Sequence, residues 1–324
     1  MCDVTSKIET VLKKKAAFLV AETNKGTNCF RLLNGNREGF PGLVVEQYEK
    51  TLVMQVFSGE CELSEPQLLK IAEALMQQTG ACSVYKKVFV TDRSHQAATE
   101  DYYSEKPFLG TPATEKMVCQ ERGLKYEIQP YAGYSTGLFL DQRENRAHLA
   151  ELAQHKKVLN LFSYTCAFSV ACARHQAVTT SVDLSKKYLE WGKRNFELNA
   201  LPVQDHRFVA QDCFEFLERA KKKQNLFDLV IVDPPSFSRS KEVGVFSIKK
   251  DLAHLLELAS AVVSPQGHLF FSSNFSEWNQ EKFREISQKI LTALGKWKWK
   301  SIPALPQDTA NGRIPLSYWI ATKL

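Results

Sequence analysis

Three aspartates, Asp183, Asp212 and Asp233, each stand at or just beyond the end of a short apolar run (residues 178–182, 206–210 and 229–232) in the C-terminal half of the chain. Runs this short, rich in β-branched residues, suit strands covered on both faces. In open α/β sheets ligands collect outside the carboxyl ends of such strands. The third aspartate is followed by Pro234, Pro235, Ser236 and Phe237. A buried strand cannot run through two prolines, because each removes a ladder donor. The backbone therefore leaves the sheet at Asp233 as a stiff corner that carries an acid and an aromatic ring. A fourth run, 158–162, opens onto Ser163, Tyr164, Thr165, Cys166 and Ala167, whose small residues let a ligand approach the next helix. Asp183 is placed to hydrogen-bond the two hydroxyls of a ribose. A dinucleotide would need G-x-G-x-x-G for its pyrophosphate, and this loop lacks it. A cofactor with one ribose and no pyrophosphate fits better. Asp212 then receives the exocyclic amine of adenine, and Asp233 lies beside the reacting end.

These acids need a sheet to carry them. From residue 158 onward strands at 158–162, 178–182, 206–210, 229–232 and 267–272 alternate with helices at 167–174, 185–199, 213–222, 247–263 and 280–294. Such alternation predicts a parallel sheet with helices on both faces. Strands at 297–302 and 316–321, joined without a helix, add an antiparallel edge. In Lys296-Trp297-Lys298-Trp299-Lys300, strand alternation turns the tryptophans inward and the lysines outward. Upstream, residues 6–22 read as an amphipathic helix with a basic cluster at Lys13, Lys14 and Lys15. Residues 30–90 read strand, strand, strand, helix, strand, and a capping box at Ser64 and Gln67 opens the helix. The expected domains are an N-terminal helix (1–27), a small α+β accessory domain (28–123) and a catalytic domain (124–324).

Composition narrows the class. The chain has 324 residues and a net charge of +6, a mild excess compatible with a polyanionic partner. No apolar run approaches the ~20 residues of a membrane span, and the first residues carry no basic region followed by an apolar segment, so a secretory signal is not expected. Eight cysteines without a C-x-x-C pair suit reduced thiols in a cytoplasm, not disulfides or a metal site.

Several segments together resemble a known family. They are Thr136-Gly137-Leu138-Phe139-Leu140-Asp141-Gln142-Arg143-Glu144-Asn145-Arg146, Val158-Leu159-Asn160-Leu161-Phe162-Ser163-Tyr164-Thr165, Val182-Asp183-Leu184-Ser185, Tyr188-Leu189-Glu190-Trp191 and Asp233-Pro234-Pro235-Ser236-Phe237-Ser238-Arg239-Ser240-Lys241. They resemble the class I S-adenosylmethionine-dependent methyltransferases of large-subunit ribosomal RNA. The resemblance is dense from about residue 125 onward. It implies a Rossmann-like seven-stranded class I methyltransferase sheet preceded by a small α+β domain, with S-adenosylmethionine as cofactor and ribosomal RNA as partner. It also implies a cofactor site of Gln142, Arg143, Ser163, Tyr164, Thr165, Asp183, Leu184, Asp212, Cys213 and Asp233. Gln142 and Arg143 would border the methionine end. Asp233, Pro234, Pro235 and Phe237 would form the catalytic corner, and Arg239, Lys241 and Arg313 would hold RNA phosphates. Cys166 stands where the family usually has glycine, and a side chain there would narrow the cofactor pocket.

Two branches of the family differ in chemistry. Cytosine-C5 enzymes need a cysteine nucleophile, which relatives of that branch carry after the fifth strand. The equivalent stretch here, Phe271-Ser272-Ser273-Asn274-Phe275, has no thiol. The Asp233–Lys241 stretch, and the C-terminal Asp308, Asn311, Arg313 and Trp319, resemble the guanine-N7 branch. The expected activity is methyl transfer to a base of 23S ribosomal RNA, guanine N7 first. Cytosine-C5 or another base-directed methylation, or a non-catalytic RNA-binding assembly factor, are the alternatives.

Overall fold

A computed structural model describes residues 4–89, 104–131, 133, 135–240, 244–313 and 315–324. The chain forms two compact units, Met1–Arg143 with Leu305–Arg313, and Glu144–Ala304 with Ile314–Leu324.

The first unit opens with helix α1 (Val4–Asn24) and a five-stranded sheet in the order β1 (Cys29–Asn34), β2 (Leu43–Tyr48), β3 (Thr51–Phe57), β4 (Ser83–Phe89), β5 (Leu109–Gly110). Only β3 and β4 are parallel, because helix α2 (Glu65–Thr79) carries the chain between them. The amide of Ser64 donates to Gln67 Oε1 at 2.8 Å, closing the start of α2 as the sequence predicts. A hairpin, β6 (Met117–Glu121) with β7 (Leu124–Ile128), completes the unit. Lys15 is not a surface charge like its neighbours. It is buried against Glu38 at 2.8 Å and donates to the carbonyls of Arg31 and Leu32.

The division differs from the expected boundary at residue 123. The amide of Asn28 donates to the carbonyl of Gln120, and that of Gly123 to Gly26, so the β6–β7 hairpin packs with the first unit. Residues 305–313 leave the catalytic half of the sequence and join the first unit. There Asp308 accepts from the amide of Arg31 at 2.9 Å, and the carbonyl of Thr309 accepts from Asn34 at 2.8 Å.

The second unit is a seven-stranded sheet with strand order β10 (Arg207–Ala210), β9 (Val178–Asp183), β8 (Lys157–Leu161), β11 (Phe227–Val232), β14 (Val263–Ser273), β16 (Ser317–Lys323), β15 (Trp297–Trp299). The first five are parallel, and β16 runs antiparallel to both its neighbours. Helices α3 (Arg143–Leu152), α4 (Ala167–Arg174), α5 (Lys186–Leu198), α6 (Cys213–Lys222), α7 (Ile248–Ala261) and α8 (Gln280–Leu294) belong with it, apart from Arg143 itself. Val230 and Val232 of β11 and Leu269 and Phe271 of β14 lie in one core with Leu255 and Leu256 of α7 and Phe283 of α8. Lys296, Lys298 and Lys300 are exposed, whereas Trp297 and Trp299 are half-buried and Trp299 meets Trp319 edge-on at 5.0 Å.

One element was not predicted. Beyond the prolines the chain forms a hairpin of β12 (Phe237–Ser240) and β13 (Gly244–Ser247). Its inner side chain, Phe246, packs on Phe162 at 5.7 Å and on Phe214 at 6.1 Å. Its outer face leaves Phe237 52% and Val245 56% exposed.

Candidate active site

Strand order reverses between β8 and β11, since β9 and β10 lie to one side of β8 and β14 to the other side of β11. A crevice opens at such a switch point. The loop after β8 enters it with positive φ at alternate residues, Phe162 (55°), Tyr164 (47°) and Cys166 (61°). Left-handed backbone at non-glycine residues is costly and persists only where the surroundings impose it. Here the surroundings include Asp183 at the end of β9. Its Oδ2 accepts from the amide of Tyr164 at 2.9 Å and its Oδ1 from the amide of Ser185 at 2.8 Å. Each oxygen keeps a second lone pair for a ligand hydroxyl. Burial pushes the Asp183 carboxyl above its ordinary value, and these two amides only partly offset that. Leu184, the next residue, is 40% exposed and offers an apolar surface beside the carboxylate.

Cys166 is buried against α5. A Cβ on Gly192 of α5 would meet the Cys166 Sγ at 2.4 Å, so the thiol is seated in the notch where α5 has no side chain. Gly192→Ala is expected to lower stability by about 1–3 kcal/mol through overpacking. Cys166→Gly in the same chain should restore most of the loss, because it removes the Sγ and Cβ that the new methyl group would meet, and glycine tolerates the left-handed conformation there. Denaturant unfolding of the two single variants and the double variant checks this, and simple additivity would contradict it.

Asp212 begins α6 and holds its carboxylate in place by accepting from the amides of Phe214 and Glu215 at 2.9 and 3.1 Å. Cys213 is buried and its sulfur accepts from the amide of Phe162 at 3.4 Å, tying the ends of β8 and β10 together. At the corner after β11, Pro234 is buried and Pro235 exposed. Two side chains from the tip of β14 brace this corner, and sequence reasoning assigned a role to neither. The Ser272 hydroxyl donates to Asp233 Oδ1 at 2.5 Å, and that of Ser236 to Asn274 Oδ1 at 2.5 Å. The signal that could have found them is register: with Val232 level with Phe271, the next residues of each strand are neighbours.

Other expected residues are engaged elsewhere. Gln142 is buried in the first unit. Arg143 is wholly buried there and is held by Asp308 at 3.0 Å and the carbonyl of Cys29 at 2.8 Å. Its two terminal nitrogens thus serve protein acceptors, whereas Nε makes no hydrogen bond among the described residues and lies 3.6 Å from Glu121 Oε2. Arg313 is held by both oxygens of Glu60 and lies over the Phe57 ring at 4.0 Å, so its charge is already matched. Lys241 lies outside the described residues. Among the described residues no group of three His, Cys, Asp or Glu is placed to hold a metal ion, and no helix is long and apolar enough to cross a membrane.

The donor set fits an adenosyl sulfonium. Two anchored carboxylates suit a ribose and an amine, an apolar side chain suits a flat base, and nothing at the loop is arranged for a pyrophosphate. A sheet of this order, with an acid at the tip of β9 and an Asp-Pro-Pro corner after β11, defines a class I methyltransferase that draws its methyl group from S-adenosylmethionine. The chain belongs to the S-adenosylmethionine-dependent methyltransferase family, whose description it matches over residues 38–282. It is 31% identical over 299 residues to a ribosomal RNA large subunit methyltransferase of Deinococcus radiodurans, covering 92% of this chain and 72% of that one. It is 34% identical over 308 residues to ribosomal RNA large subunit methyltransferase K/L of Vibrio cholerae, covering 92% of this chain but 41% of that longer relative. Its fold matches the crystal structure of SMU.776 complexed with SAH at a TM-score of 0.85 and 28% identity, over 99% of this chain and 82% of that one.

A ribose hydroxyl donates best to an ionised carboxylate, so such a ligand at Asp183 would favour the carboxylate. Affinity is then complete above the Asp183 pKa and is lost as pH falls through it. Because burial raises that pKa above the ordinary 3.8, the loss should begin at a higher pH than an unperturbed carboxylate would give. Calorimetric titration with S-adenosylmethionine at descending pH tests this. Asp183→Asn should bind weakly with a flat profile, and a flat wild-type profile would contradict the role.

Proposed function

We propose that this enzyme methylates guanine N7 in large-subunit ribosomal RNA. The observation that disfavours cytosine C5 is the lack of an available thiol in the second unit, and the resemblance of the Asp233–Lys241 stretch then points to N7. The tip of β14 bears Ser272, Ser273 and Asn274, and all three cysteines of the second unit are buried. Burial pushes Cys166 and Cys172 up to about 12, and Cys213 well above its ordinary value. A cytosine C5 requires covalent activation by a thiolate. A guanine N7 does not, because its lone pair attacks directly.

When bound, S-adenosylmethionine would supply an electrophilic methyl group on a sulfonium whose leaving group is the neutral thioether S-adenosylhomocysteine, and the N7 lone pair would be its acceptor. The base becomes cationic and loses no proton, so no general base is needed. The protein's part is alignment, which can be worth roughly 7–11 kcal/mol. Asp183 and Asp212 orient the adenosine. Pro234 and Pro235 form a wall without competing donors. Phe237 stacks on a base withdrawn from its helix, a contact worth about 1–3 kcal/mol. Asp233, braced by Ser272, sets a negative charge near the nascent cation. Arg239 and Lys241, which follow Phe237 in sequence, are the proposed phosphate contacts. The names of the relatives in Deinococcus and Vibrio and the net charge of +6 support an RNA substrate.

The test uses ribosomal RNA from a strain lacking the gene, the purified protein and tritiated S-adenosylmethionine, with products read by nucleoside mass spectrometry. 7-Methylguanosine is expected. 5-Methylcytidine would move the enzyme to the other branch, and no methylated nucleoside would leave an RNA-binding factor. RNA affinity should also fall steeply with salt.

A further inference from the structure

We infer that Asn274 is a specificity-determining residue, one that offers its amide hydrogens to the acceptor edge of the target purine. This rests on the guanine reading above and extends it to the question of how the base is chosen. Asn274 follows the last residue of β14 and is exposed. Its Oδ1 accepts from the Ser236 hydroxyl at 2.5 Å, which turns the two Nδ2 hydrogens away from Ser236. Among the described residues Nδ2 has no protein acceptor. The turn beneath it is held on both sides. The amide of Phe275 donates to Ser273 Oγ at 3.2 Å, and the Phe275 ring packs edge-on against Trp278 at 4.9 Å. A surface asparagine of no consequence would not need its carboxamide and its backbone both fixed.

Phe237 follows Ser236 directly and leaves its ring 52% exposed. A carboxamide one hydrogen bond from that corner is suited to read the rim of a ring stacked there. Guanine presents N7 and O6 on one edge, both acceptors, whereas cytosine presents a donor on its corresponding edge. N7 must keep its lone pair for the methyl group, so O6 is the atom Asn274 would address. A donor held in advance rewards guanine and leaves a base lacking that acceptor with an unmatched polar contact.

Two substitutions separate reading from bracing. Asn274→Asp keeps an acceptor for Ser236 and loses both donors. Asn274→Ala loses the brace and the donors together. If Asn274 reads the base, kcat/KM for ribosomal RNA falls about ten- to a hundredfold in both, and the aspartate variant is no better than the alanine variant. The loss in the aspartate variant must persist at high salt, where a through-space effect of its new charge would be screened. S-adenosylmethionine affinity and the unfolding midpoint should stay at wild-type values in both. An aspartate variant more active than the alanine variant, or one restored by salt, overturns the assignment and leaves Asn274 as a brace. The wild-type product is identified in the same experiment. A product other than 7-methylguanosine defeats the functional reading, whereas 7-methylguanosine with an active aspartate variant defeats the role of Asn274 alone.

Discussion

Replacing Asp183 with alanine is expected to weaken S-adenosylmethionine binding about a hundredfold or more, since each hydrogen bond to a buried charge contributes about 1.5–3 kcal/mol and two are lost. Both carboxylate oxygens are already aimed by backbone amides, from Tyr164 at 2.9 Å and Ser185 at 2.8 Å. The carboxylate is therefore ordered before any ligand arrives. Alanine also frees the Tyr164 amide, one of the bonds that hold the left-handed loop. Asp183→Asn separates the two effects. It can still accept one amide hydrogen but has no charge, so it should keep more of the folded stability than alanine while losing most of the affinity. Calorimetry with the cofactor and thermal unfolding without it give the two readouts. An alanine variant whose dissociation constant stays within threefold of wild type would remove Asp183 from the cofactor site.

The sheet that presents Asp183 was legible because parallel strands buried on both faces leave continuous apolar runs, and the helices between them are long enough to show a period. The ends of α4, α6 and α8 fall where the pattern put them, at Ala167–Arg174, Cys213–Lys222 and Gln280–Leu294. The seat of Cys166 was not legible, because it depends on the absence of a side chain at Gly192, which no local rule connects with a loop one helix away. The excursion of residues 305–313 was hidden for a related reason. It has no periodicity, and its anchor is one carboxylate, Asp308, paired with residues far away in sequence. The pairing of Arg143 with Asp308 was hidden in the same way, since the two are far apart in sequence. Ser272 and Asn274 become visible only when β14 is set beside β11 in register.

Arg143 provides the second large effect. Its side chain and that of Asp308 are both wholly buried, with a contact of 3.0 Å, and Glu121 lies 3.6 Å from Arg143 Nε. Burial alone would lower the guanidinium's pKa, but Asp308 and then Glu121 outweigh it and hold the group above its ordinary value. The charge therefore stays on, and its partner cannot be removed cheaply. Asp308→Leu strands a buried cation and also deprives the Arg31 amide of its acceptor. The expected destabilisation is about 3–5 kcal/mol, the usual cost of breaking a buried pair from one side. Arg143→Met should cost a similar amount by stranding Asp308. The double variant Arg143→Met with Asp308→Leu should be more stable than either single variant, because it removes both charges and fills the space with apolar groups. Urea unfolding of the four proteins measures the coupling. If Arg143→Met left stability unchanged and instead raised the dissociation constant for S-adenosylmethionine, the arginine would belong to the cofactor after all. A loss of stability reversed in the double variant would identify the pair as the clasp that fastens residues 305–313 to the first unit, which explains why so strong a base lies so far from solvent.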